Sequence, residues 1–277
     1  MKKLCLVFLL GLWLSQVPVA AQSTGEPQTI EIPAPSSVAR PYRAAQAALD
    51  ADDPETALTF AQRALAAAQE EGAGVDMIAI MSGMVAELAD YTDQTELAEM
   101  HWSLTEDVYR SAGWDDGAVS SIWGHSASIA AYTNRPGLAR TRLARGLEIL
   151  GEPNQENWRY IAEIRHFDLR LALRPGEPPE GYEPAEPAFR PTPPFGATAA
   201  RAGVEGYVIV RFDVDEAGDV ENVEIADAYP EGVFDTPSIS TVSEWRYRPA
   251  RQTGQAVREE DLLVRFDFQL AGRPEGE

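Results

Sequence analysis

The chain has three histidines, His101, His125 and His166. Each falls within helical periodicity, and none has the paired spacing of a zinc motif such as His-Glu-x-x-His. The acidic pairs Asp52-Asp53, Asp115-Asp116 and Glu259-Glu260 are neighbours in sequence. Their side chains diverge, so they read as turns or solvated faces and not as an acid and a base converging on one substrate. The run Asp213-Val214-Asp215-Glu216-Ala217-Gly218-Asp219 has the oxygen density of a calcium loop. It lacks the closing glutamate of a helix-flanked loop and sits between two alternating segments, where a hairpin turn is the simpler reading. Phosphate-cradling glycine loops are absent, and the single cysteine, Cys5, lies in an apolar leader. These patterns argue for a non-enzymatic chain with no catalytic residue, metal site or cofactor. Leu262, Val264, Phe266, Phe268 and Leu270 alternate with Leu263, Arg265, Asp267 and Gln269, just after the charged run Arg258-Glu259-Glu260-Asp261. A strand flanked by charge in this way reads as a charged sheet edge.

The elements that must position this strand begin at Gly206. Val208, Val210, Phe212 and Val214 share one face of a strand that ends at the turn Asp215–Asp219, with Gly218 supplying positive φ. A second strand runs through Val220, Val223 and Ile225 to Tyr229-Pro230, and a short helix follows through Ile239, Val242 and Trp245. With Leu262–Leu270 as the last strand, the order is β-β-α-β. Trp245 and Tyr247 are expected on opposite sides of an extending chain, one in the core and one facing out, with Arg246 and Arg248 as exposed charges.

Upstream, apolar residues recur at helical spacing for well over a hundred residues, with Ala the dominant small residue. Turn signals at Asp52-Asp53-Pro54, Gly72-Ala73-Gly74, Thr92-Asp93-Gln94, Gly113 with Asp115, Asn134-Arg135-Pro136 and Gly151 to Pro153 divide this region into six or seven helices. Segments beginning Pro54-Glu55-Thr56-Ala57-Leu58, Thr95-Glu96-Leu97-Ala98 and Pro136-Gly137-Leu138-Ala139 recur at a period of about 40 residues, in the range of helical-hairpin repeats. They loosely resemble tetratricopeptide repeats. Tryptophans 102, 114, 123 and 158 are expected to fill the interhelix core. From 175 to 192 the composition shifts to Pro, Glu and Gly, which predicts a stiff, extended linker reaching on the order of 60 Å at about 3.1 Å per residue.

Residues 1–23 read as a secretory signal peptide: Lys2 and Lys3, the apolar run Leu4–Leu14, and small residues at Val19-Ala20-Ala21. That run is shorter than the roughly 20 residues a spanning helix needs. A mature chain without thiols suits an oxidising compartment, which points to the periplasm. The net charge of -21 argues against nucleic acid and anionic lipid as partners.

Several spaced motifs then agree in order: Gly203-Val204-Glu205-Gly206, Val208 to Val214 with Asp215 and Gly218, Phe234-Asp235, and above all Trp245-Arg246-Tyr247-Arg248-Pro249-Ala250 with Gly254 and Val257. Together they resemble the TonB C-terminal domain. The fold class expected is therefore α+β: an all-α helical-hairpin repeat domain over 37–174, after a signal peptide (1–23) and a polar lead (24–36), then a linker (175–192), a small β-β-α-β TonB C-terminal domain (193–271) and a tail (272–277). The resemblance implies capture of a TonB-box peptide of an outer-membrane TonB-dependent receptor by strand addition. The residues implicated are Leu262, Leu263, Val264, Arg265, Phe266, Asp267 and Phe268, with Arg246, Tyr247 and Arg248. Family transducers also engage ExbB and ExbD through a retained N-terminal helix carrying a histidine, and residues 1–23 have none. Retention of 1–23 would place the chain at the inner membrane and favour transduction. Its cleavage would favour a periplasmic adaptor whose helical repeats bind a further protein or peptide. A homodimer through the unpaired edge is the remaining alternative.

Overall fold

The computed structural model describes residues 35–173 and 178–270, so the expected signal peptide lies outside the described residues. The architecture is α+β, and the chain divides into two compact units between Ile149 and Leu150.

The first unit is built from α1 (Ser36–Asp50), α2 (Pro54–Glu70), α3 (Val75–Tyr91), α4 (Thr95–Ser111), α5 (Asp116–Tyr132) and α6 (Pro136–Leu150). Its three hairpins repeat in detail. The turn inside each hairpin carries a non-glycine residue at positive φ: Asp52 at 60°, Asp93 at 59° and Asn134 at 61°. Asp and Asn tolerate this conformation best among residues with a side chain. The following N–H closes back onto the preceding helix, Asp53 to Ala48 at 2.9 Å, Gln94 to Ala89 at 2.8 Å and Arg135 to Ala130 at 2.8 Å. This closure satisfies a carbonyl that the helix end would otherwise leave unpaired. The second helix of each hairpin then places a fully buried alanine one turn in, Ala57, Ala98 or Ala139, each 0% exposed. A methyl group at that position lets neighbouring helices approach closely. Glycines at positive φ, Gly72 and Gly113, separate the hairpins.

Two buried carboxylates clasp the later helices. Asp90 on α3 accepts from the Trp102 indole at 2.9 Å and from both terminal nitrogens of Arg142 on α6, at 2.7 and 2.8 Å. Arg142 also donates to the Ser126 carbonyl and to Glu99, and Arg135 adds a further bond to Asp90. Glu106 on α4 repeats the scheme with the Trp123 indole, Arg145 and Arg110. Burial alone would raise the Glu106 pKa, but hydrogen bonds from Arg110, Trp123 and Arg145 outweigh it and hold the carboxyl below its usual range. Trp102 and Trp123 fill the core as the sequence suggests, whereas Trp114 is half-buried against Tyr109, with ring centroids 4.7 Å apart.

The second unit opens with α7 (Trp158–Ala172). Helical periodicity groups α7 with the preceding helices, but it packs on a sheet. Trp158 is buried against Tyr207, rings stacked with centroids 6.3 Å apart, and so leaves the interhelix core expected for it. An amphipathic stripe records that a helix has a buried side; it does not record what covers that side. The sheet has the order β4-β3-β8, with β3 (Gly206–Val214) central between β4 (Val220–Tyr229) and β8 (Glu259–Phe268). Beneath it lies α9 (Asp235–Ser243), and α8 (Ala197–Ala202) precedes β3. Val208, Val210, Phe212 and Val214 turn to one core with Phe234, Val242 and Trp245, while Tyr207 and Ile209 are buried on the α7 side. This matches the expected β-β-α-β order, with three short strands inserted before β8: β5 (Arg246–Arg248), β6 (Ala250–Gln252) and β7 (Gln255–Val257).

The Pro-rich stretch is not wholly a linker. β1 (Tyr182–Glu183) pairs with β6, and β2 (Glu186–Phe189) pairs with β5. Proline is tolerated in such ribbons because a strand with one partner leaves alternate N–H groups without a ladder role. The described part of the stretch thus lies in the second unit, and the expected boundaries at 174 and 193 do not coincide with the division of the chain.

Candidate peptide-docking edge

β8 pairs with β3 in antiparallel register, from Leu262 opposite Phe212 to Phe268 opposite Gly206, without a shift. Its other edge has no partner strand among the described residues. A bulge opens the strand: Val214 faces Glu259 while Phe212 faces Leu262, and Asp261 sits at a φ of 61°. Arg258 fixes this corner, reaching Asp213 at 2.9 Å and Glu221 at 2.8 Å. Asp213 also accepts from Asn222 and from the Asp261 N–H. Burial opposes ionisation of Asp213, but these bonds prevail and its carboxyl stays below the usual range.

Beyond the bulge, β8 alternates as the sequence predicts. Leu262, Val264, Phe266 and Phe268 face the apolar core, Val264 and Phe268 largely buried and the other two partly. Leu263, Arg265 and Asp267 face the opposite side, where Arg265 and Asp267 form an ion pair at 3.0 Å. The sheet has a second outer edge at β4, but two register irregularities with β3 interrupt that ladder, and Asn222 within it takes a φ of 51°. Irregularity blunts an edge against added strands, whereas the regular run from Leu262 to Phe268 leaves β8 as the better template.

Arg246, Tyr247 and Arg248 do not join this edge. They form β5, already paired with β2. Arg246 bonds Asp219 at 3.0 Å, and Arg248 lies 3.4 Å from Glu186. Tyr247, expected on the outer surface, is buried beside Phe212 and Trp245 on the same side as Trp245. Residues two apart in an extended chain share a face, so a buried Trp245 carries Tyr247 inward with it. Burial raises the Tyr247 pKa. Its N–H donates to the Gly218 carbonyl at 2.9 Å, tying β5 to the β3–β4 turn. Gly218, at a φ of 87°, is required there because a Cβ would collide with the Tyr247 carbonyl oxygen.

Several neighbours of the edge carry no sequence signal of their role. Arg190 stacks over the Trp245 ring at 4.1 Å, the Trp245 indole donates to the Pro191 carbonyl at 2.9 Å, and Phe195 packs edge-on against Phe234 and Phe268. The three histidines lie on different helices, α4, α5 and α7, and no group of three or more metal-ligating side chains occurs among the described residues.

Residues 191–270 match the family model for the Gram-negative bacterial TonB protein C-terminal. This TonB-like segment holds the whole three-stranded sheet and leaves out α7, β1 and β2. Among curated proteins, the chain is 34% identical over 83 residues to Protein TonB of Yersinia enterocolitica, covering 30% of each chain. It is 37% identical over 86 residues to Protein TonB of Escherichia coli strain K12, covering 31% of this chain and 34% of that one. The chain thus spans about a third of the length of the curated relatives it matches. Among solved structures, the solution structure of the Pseudomonas aeruginosa TonB C-terminal domain aligns at 22% identity and a TM-score of 0.29, covering 35% of this chain and 94% of that one. The TonB2 protein of Vibrio anguillarum aligns at 27% identity and a TM-score of 0.27, covering 35% and 90%.

Proposed function

We propose that this chain captures an extended segment of an outer-membrane TonB-dependent receptor by adding it as a fourth strand alongside β8, as the docking step of energy-coupled transport across the envelope. The observation that carries the reading is the regular edge of β8, unpaired among the described residues, within a segment that matches the TonB C-terminal family. Backbone pairing supplies the affinity, and side chains above and below the edge supply selectivity. No described helix is long and apolar enough to cross a membrane. Retained, residues 1–23 would tether the chain for engagement of ExbB and ExbD, and cleaved, they would leave a docking protein in the periplasm. The separate compactness of the helical unit favours a second role as an adaptor, in which the hairpins hold a further protein or peptide.

The test uses paired proline variants. Along an edge strand, successive N–H groups point alternately to the neighbouring strand and outward, so of Arg265→Pro and Phe266→Pro one breaks a bond to β3 and the other removes an outward donor. The second kind should keep the melting transition of the sheet and lose binding of a synthetic TonB-box peptide at least tenfold. Unchanged binding by both variants, each with a native melt, would overturn the assignment to β8. Intact mass of the native protein from fractionated envelopes then separates the two roles.

A further inference from the structure

Neither packing nor backbone geometry calls for glycine at two positions of the helical unit. Gly83 on α3 and Gly124 on α5 stand at the same distance before the equivalent turns at Asp93 and Asn134. Neither takes positive φ, and a Cβ on either would meet no neighbouring group within 4 Å. Glycine inside a helix is destabilising relative to alanine, so what these positions preserve is open space. One turn on from Gly83, on the same face of α3, Glu87 is buried at 8% exposure. Its only ion-pairing group among the described residues is Nε2 of His125, the residue after Gly124, and at 3.6 Å the contact is too long for a hydrogen bond. That nitrogen is itself buried without a hydrogen-bond partner. Asp90 and Glu106, by contrast, each take an indole and an arginine as donors. A further turn along α3, Tyr91 meets Tyr132 of α5 edge-on with centroids 6.2 Å apart, and Tyr132 is 61% exposed. Burial first, and then the Glu87 carboxylate, raises the Tyr91 pKa to about 12, so the two side chains lie within electrostatic reach. Gly124 is partly exposed and Ser128 exposed, so the space opens to solvent along α5.

A carboxylate buried without donors is unfavourable, and a cation entering the space relieves it. The fold supplies none. α3 and α5 carry no lysine or arginine, no lysine occurs among the described residues, and Arg135 and Arg142, which reach α3, are engaged by Asp90. We propose that the cleft between α3 and α5 takes a lysine side chain from an extended segment of a partner protein, its stem passing over Gly83 and Gly124 and its ammonium donating to Glu87. A compact ammonium on a flexible four-carbon stem suits an entry floored by glycine, and the tyrosine rings add cation–π attraction. Because the glycines lie in successive hairpins, the space runs across the array, which fits an extended chain better than a free amine. This deepens the adaptor role given above, rests on it, and is independent of the β8 edge.

The experiment measures fluorescence anisotropy of the full chain with two short labelled peptides, each alternating alanine and serine around one central residue, lysine in one and acetyl-lysine in the other. Salt at about 0.15 M screens non-specific attraction to the acidic surface. The lysine peptide should bind about tenfold tighter than its twin, the scale of one charge-assisted hydrogen bond, and Glu87→Gln should remove the difference. The double variant Gly83→Ala with Gly124→Ala fills the space with methyl groups that meet nothing. It should raise the melting midpoint of the helical signal by about 5 °C and still weaken the lysine peptide about tenfold. A midpoint at or below the parent's would give the glycines a structural role, and a raised midpoint with unchanged binding would leave the space unused; either overturns the proposal. Displacement of the lysine peptide by lysine amide at equal concentration would overturn the extended occupant. Equal binding of the twins to the parent would overturn the lysine cleft and leave the adaptor role standing, and binding of neither would overturn both.

Discussion

Trp158→Ala tests whether α7 is a structural member of the sheet unit. Trp158 is 1% exposed and stacked on Tyr207, with the Arg159 guanidinium 5.3 Å from its ring centroid. An indole of this kind buries about 200 Å², worth about 5 kcal/mol at about 25 cal/mol per Å², and alanine recovers only a small part. The expected loss is about 3–5 kcal/mol, in line with large-to-small changes in close-packed cores. Hydrogen exchange resolved by peptide is the suitable assay, since it reads each segment separately. Amides of Tyr207 to Val210 should exchange faster by about a hundredfold or more, each tenfold corresponding to about 1.4 kcal/mol. Trp114→Ala, at a half-buried ring, should produce a much smaller effect confined to the helical unit. Unchanged protection of β3 in Trp158→Ala would mean that α7 does not support the sheet.

Further outcomes follow from other contacts. Arg142→Met leaves Asp90 buried without its main partner and should cost about 3–5 kcal/mol in urea unfolding of the helical unit; a loss below about 1 kcal/mol would contradict the clasp. Gly218→Ala should destabilise the sheet unit by more than about 2 kcal/mol, because it combines positive φ with a collision at Tyr247, and a melt equal to the parent would refute this. His166 titrates at about 4 in the fold against 6.5 when unfolded, so the unfolded chain binds the proton more readily. Stability of the sheet unit from this group is full above 6.5 and is lost as pH falls toward about 4. His166→Gln should flatten that part of the profile in melts run across the window.

What the sequence discloses depends on whether the determining contact is local. Asp52-Asp53-Pro54, Thr92-Asp93-Gln94 and Asn134-Arg135-Pro136 place three hairpin turns because positive φ and helix-starting residues act within a few positions. The alternation from Val208 to Val214 and from Leu262 to Phe268 discloses both strands and their core faces for the same reason. The partner of α7 is not legible, since its apolar stripe suits a helix or a sheet equally. Neither is the pairing of Glu186–Phe189 with β5, where three prolines around the segment suggest an extended linker and the pairing residue lies some sixty positions away. The candidate edge was legible as a strand and, from its flanking charge, as an edge; that no further strand pairs with it among the described residues depends on where β5, β6 and β7 go. Tyr247 was within reach of local reasoning, because an extended chain puts it on the side of Trp245.

The two buried clasps also bear on how the helical array can change length. Asp90, Glu99, Glu106, Ser126, Arg142 and Arg145 interlock α3 through α6, and α1 and α2 supply none of these groups. Loss of the second or third hairpin would strand a buried charge, whereas loss or duplication of the first would disturb apolar contacts and leave Asp90 and Glu106 with their partners. Descendants of this array should therefore gain and shed hairpins at the α1–α2 end, with the clasped pair inherited as one piece.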